Sequence, residues 1–207
     1  MAILPAVEAQ LAAALGRPLA RAAVTFVGAR PVEVLRFGPD RDAVVRYATL
    51  GMSAHPMVDP DEPAPDPVRG PRAELILSLR PRGAGAVGAI DTVARRLAVL
   101  AMLPFVEGVV VRPGAGLDLA EPLWDGAAFT AVLVGEGGGL VPDLALDQPA
   151  GPVSFLPVLP MTAAEAAWKR VHGAQALQDR WLHHGIDLRD PYRRAVPLDA
   201  APPGVRA

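Results

Sequence analysis

The stretch "AELILSLRPRGAGAVGAIDTVARRLAVLAML", residues 73–103, decides between two folds. Its middle, Gly83 to Gly88, matches Gly-x-Gly-x-x-Gly, the fingerprint of dinucleotide-binding folds. A strand-like run precedes it, a helix-like run follows it, and Glu107 falls about where such folds keep a ribose-binding acid. A phosphate-binding turn requires the strand to run straight into the first glycine, with the helix N-terminus facing the pyrophosphate. Here Arg80, Pro81 and Arg82 intervene. Two arginines at a buried strand end are unfavourable, and Pro81 removes an amide where a central strand needs its ladder. The strand expected next carries Pro104, and no strand–helix–strand unit recurs downstream. The glycines are therefore read as a strand-to-helix connection, with nucleotide binding through Gly83–Gly88 as the alternative.

The pattern outside this stretch predicts the other elements. A helix is expected over 4–15, closed by Gly16, and strands over 22–29, 32–37 and 43–50. Residues 58–72 hold five prolines and the acids Asp59, Asp61, Glu62 and Asp66. Such a segment fits neither ladder nor helix interior, so it is expected as an exposed loop. Residues 73–79 are apolar enough for a strand buried on both faces. Val87, Ile90, Val93, Ala94, Leu97, Leu100 and Ala101 form one helical stripe, which Pro104 is expected to end. Strands follow over 108–111, 129–135 and 153–160; Pro157 and Pro160 place the last near an edge or in a bend. Thr162 and Glu165 have capping-box spacing before a helix over about 163–171. A second helix is closed by Gly185, and 197–207 reads as a frayed tail after a single domain spanning 1–196. This order lacks regular βα alternation. It predicts an α+β fold, a mixed sheet flanked by helices.

Composition narrows the function. The chain has 207 residues, 51% hydrophobic and 20% charged, enough for a proper core. Its 20 basic and 22 acidic residues give a net charge of −2, which supplies no drive toward nucleic acid. Lys169 is the sole lysine, and the wealth of Ala, Pro, Gly and Arg suggests a GC-rich bacterial genome. No cysteine is present, which excludes disulfides and thiolate chemistry and fits a cytoplasmic protein. No apolar run reaches the 18 residues of a membrane span.

No catalytic or metal constellation emerges. His183 and His184 are adjacent on a helix and point about 100° apart, so they are poorly placed to share a metal; His55 and His172 lie elsewhere. Ser53 and His55 lack the glycine-flanked strand–turn–helix of a hydrolase. Trp124, Trp168 and Trp181 read as packing residues. No cofactor is expected.

Four segments together resemble the Suppressor of fused family in its bacterial branch: "YATLGMSAHPM" (47–57), "PRAELILSL" (71–79), "GPVSFLPVLPMTAAEAAWKRVHG" (151–173) and "DLRDPYRR" (187–194). Their order and spacing agree over about 44–194. The resemblance implies an α+β domain that binds another protein and is not an enzyme. For bacterial members it implies either immunity proteins that neutralise toxins delivered between competing cells or a role of another, unknown kind. The tyrosine and aspartate of the animal peptide groove align near Leu103 and Ala115, so that ligand does not carry over. Two partner contacts remain as expectations. An edge strand at 153–160 could be extended by a partner strand, and Asp59, Asp61, Glu62 and Asp66 could attract a basic partner.

Overall fold

The computed structural model describes residues 2–28, 31–58, 66, 68–81 and 90–198. Seven strands form one mixed sheet: β1 (Ala20–Val24), β2 (Val32–Phe37), β3 (Val45–Leu50), β4 (Arg72–Leu79), β5 (Gly116–Asp118), β6 (Phe129–Val134) and β7 (Val153–Thr162). Their order is β1-β2-β3-β4-β7-β6-β5. β4 and β7 run parallel, and the other five neighbouring pairs are antiparallel. This is the expected α+β fold.

Four helices cover the sheet: α1 (Ile3–Leu15), α2 (Ile90–Val106), α3 (Ala163–His172) and α4 (Ala174–His183). Alternation along the strands sorts side chains between its faces. Leu75 and Leu77 of β4 join Leu156 and Val158 of β7 against α2. Ile76 and Phe155 turn the other way, onto Val7 and Leu11 of α1. Further along that second face, Leu133 and Met161 meet Leu177 and Trp181 of α4. Burial on both faces explains why Leu75, Ile76 and Leu77 of β4 are consecutive apolar residues.

Several expectations needed correction. β7 lies in the middle of the sheet, between β4 and β6, so the partner-extended edge expected at 153–160 does not exist. Each of its prolines is in register with one neighbour and stands past the end of the other neighbour's ladder. The β4–β7 register ends at Leu77↔Val158, and the Pro160 carbonyl beyond it accepts from Arg193 instead. The β6 register ends at Val134↔Val158, and the Pro157 carbonyl accepts from the Gly135 amide. No strand forms at 108–111. Val111 is buried, but its amide donates to Met57 Sδ, and backbone pairing with β6 begins only at Gly114 and Ala115. α2 runs two residues past Pro104, to Val106, although the proline offers no amide to the Leu100 carbonyl. β1 spans 20–24 and stops before Phe26 and the fully exposed Val27.

Candidate functional site

The four segments that carried the family resemblance meet in two buried polar clusters. The first joins 47–57 to 71–79 through Glu74, which is fully buried. Thr49 Oγ1 donates to its Oε2 at 2.6 Å. Ser53 Oγ donates to Oε1 at 2.6 Å, with the Gly51 and Ser53 amides at 2.9 and 3.0 Å. Thr49 Oγ1 in turn accepts from the Leu75 amide. The turn this holds needs Gly51, whose φ is 141° and whose missing Cβ would stand 3.3 Å from the Pro31 carbonyl oxygen and Val32 Cα. Arg72 closes the cluster by donating to the Ser53 carbonyl. Burial pushes the Glu74 carboxyl above its usual range, and the four donors offset only part of that. Ser53 therefore has no nucleophilic role: its hydroxyl is sealed in the interior on Glu74, while His55 is exposed.

The second cluster joins 151–173 to 187–194. The expected capping box is present: Thr162 Oγ1 accepts from the Glu165 amide, and Glu165 Oε2 accepts from the Thr162 amide. Glu165 does more than cap. Trp181 Nε1, Arg193 Nη1 and the Val196 amide all donate to its Oε1, and Arg193 Nη2 donates to its Oε2. The Arg193 guanidinium also lies 4.8 Å from the Phe129 ring centroid and 5.4 Å from that of Trp181. Burial would raise the Glu165 carboxyl, but the hydrogen bonds and charge of Arg193, with Thr162 and Trp181, hold it below its ordinary value. The same C-terminal segment caps β4: the Arg80 amide donates to the Arg189 carbonyl, and the Arg80 side chain pairs with Asp187 at 2.7 Å. Pro197 and Leu198, expected in the tail, are held here, by Arg180 and by packing near Trp181; 199–207 lie outside the described residues.

Glu74 and Glu165 are the buried acids among the described residues, and hydrogen-bond donors already surround both. No group of three or more His, Cys, Asp or Glu among the described residues is placed to hold a metal. The Gly83–Gly88 loop lies outside the described residues, as do Asp59, Asp61 and Glu62. Asp66 is described; its carboxylate accepts from the Val68 and Arg69 amides, which hold its pKa down.

Reactive backbone remains at the sheet edges. β5 is three residues long and is flanked by cations of α3: Arg170 pairs with Asp118, and Lys169 Nζ stands 3.2 Å from where a Gly116 Cβ would be. β1 is longer and pairs only with β2. Its α2 side opens into a groove of about 540 Å³, lined by residues 22–26 and by Arg95 and Val99. Sequence reasoning missed this groove because it placed the edge at 153–160.

The Suppressor of fused protein (SUFU) family model matches residues 28–194, most of the chain. The chain belongs to the Suppressor of fused family. Solved structures agree on the fold. A Suppressor of fused chain in the Sufu–Fu complex superimposes with a TM-score of 0.65 at 13% identity, covering 93% of this chain and 91% of that one. A putative Suppressor of fused homologue from Neisseria gonorrhoeae gives 0.60 at 18% identity, covering 95% and 97%. Drosophila Suppressor of Fused gives 0.61 at 14% identity, with 94% of this chain on 50% of that one. No curated protein sequence matches significantly. Among the described residues, no helix of this Suppressor of fused chain is long and apolar enough to cross a membrane.

Proposed function

We propose that the chain is a non-catalytic, cytoplasmic protein-binding domain, 1–196, whose specific role is that of a bacterial immunity protein neutralising a toxin. One observation carries the binding role: the buried acids are consumed in holding the fold, whereas the sheet keeps an open edge with unpaired backbone. A family relative solved in complex with Fu supports the same reading. The acids Asp59, Asp61, Glu62 and Asp66 would speed encounter with a basic partner by long-range attraction.

The test is titration of the purified chain with the toxin-like C-terminal domain encoded beside it, paired with growth rescue on co-expression. A stoichiometric complex and rescue are expected. Neutralising the four acids should lower the association rate and flatten its salt dependence. A toxic neighbour that is neither bound nor neutralised would sink the immunity role. Titration with NAD(H), followed by tryptophan fluorescence, is expected to show no saturable change; micromolar saturation would favour the alternative reading of Gly83–Gly88.

A further inference from the structure

We infer that the groove between β1 and α2 takes an extended peptide segment of a partner, adding as an eighth strand and placing an acidic side chain against Arg95. This rests on the protein-binding reading and names the surface and the chemistry of its ligand.

The floor of the groove is an edge strand of unusually small residues. Ala20, Ala22 and Ala23 leave the outer backbone of β1 within reach, with no proline or lysine to blunt it. The charged residue of β1, Arg21, is held on the opposite side by Glu8 of α1 and Glu33 of β2. It therefore does not guard the groove. Exposed apolar side chains stand at both ends of the strand: Leu19 is 64% exposed and Val27 108%. Phe26 is half-buried on the α2 side. These features suit a strand-shaped occupant with apolar contacts.

The wall of the groove supplies the charge. Arg95 is exposed and has no ion pair or hydrogen bond among the described residues. Neighbouring Arg96, by contrast, is tied to Glu121. A guanidinium in the wall of a groove beside an open edge is matched by a carboxylate, which it can hold through paired hydrogen bonds. Val99 follows Arg95 by one helical turn, about 6 Å along the helix. Same-face residues of a strand are about 6.7 Å apart. A strand laid in the groove can therefore set one residue on Arg95 and its i+2 or i−2 neighbour on Val99 and Phe26. The recognised pattern is acidic–any–apolar, read in either direction, within a β-prone segment.

The probe is a random linear dodecapeptide library displayed on phage and panned against the immobilised full chain. Enriched peptides are expected to carry that pattern. Their binding should fall about tenfold or more in Arg95→Glu, the range expected when a charge-assisted pair becomes a repulsion. A proline at Ala22 or Ala23, whichever amide exchanges freely in the unliganded chain, should also abolish binding. Arg95→Glu is a surface change, so the test survives if the proline variant fails to fold. The proposal is overturned if no peptide is enriched, if Arg95→Glu binds equally well, if the peptides protect 116–118 instead, or if β1 pairs with a second copy by light scattering. Peptides or a neighbour domain that bind elsewhere would overturn this site and leave the protein-binding reading standing. No binding of any kind would remove both.

Discussion

Arg193→Met is expected to lower the unfolding free energy by about 3–5 kcal/mol, the usual cost of stranding one partner of a buried ion pair. Its side chain is 5% exposed and that of Glu165 is 0%. Removing it leaves the carboxylate with Thr162, Trp181 and Val196 as donors but with no countercharge, and frees the Pro160 carbonyl. Urea unfolding at neutral pH measures the loss. Adding Glu165→Gln to Arg193→Met should recover part of it, because a neutral amide no longer needs the cation. The pH dependence has a definite sign. Glu165 is held below its ordinary value in the folded state, so its contribution is present above the unfolded pKa. It is lost as pH falls through the folded one. In Arg193→Met that acid loss should begin at higher pH. A loss under about 1 kcal/mol would mean that the cluster is ornamental.

Glu74→Leu is expected to cost at least about 3 kcal/mol, since several buried donors lose their acceptor together and each orphan costs about 1–3 kcal/mol. The Thr49 and Ser53 hydroxyls can turn, but the Ser53 and Gly51 amides cannot. Glu74→Gln keeps an acceptor oxygen for the Ser53 and Gly51 groups and should be far milder. The two glutamates also differ in pH behaviour. Glu74 is pushed up by burial, so its contribution is full below the unfolded pKa and fades as pH rises through the folded value. Glu74→Gln should remove that slope, which thermal melts across the acid range would detect. Equal melting of Glu74→Leu and Glu74→Gln would contradict the assigned hydrogen bonds.

Local chemistry was readable where it depends on near neighbours. Thr162 and Glu165 announced their helix start because a capping box spans only three residues. Gly16 closed α1 as expected. What Glu165 binds besides its cap was not readable. Arg193 lies 28 residues away, and no spacing rule connects a helix start to a C-terminal loop. Glu74 belongs to a segment that carried the resemblance, but its buried role was not read from it, although a charged residue among apolar ones was itself a signal that buried donors must surround it. The prolines of β7 misled because the edge rule concerns an amide that must donate. Pro160 lies past the end of the β4 ladder and Pro157 past the end of the β6 ladder, while each stays in register with the other neighbour, a property that the sequence does not display. "GVVV" misled for a related reason: an apolar run can be buried without pairing, as Val111 is. The β1–α2 groove was hidden by the misplaced edge, since strand order, unlike strand existence, depends on contacts between distant segments.

In the proposed role, the recognisable segments build the scaffold while the open edge of the sheet does the binding. Amide hydrogen exchange, followed residue by residue on the full chain with and without a selected peptide, tests it directly. Slowed exchange is expected at 20–27 and the facing turns of α2 alone, with 49–53 and 162–196 unchanged. Protection centred on the Glu74 or Glu165 clusters, or on 116–118, would contradict it.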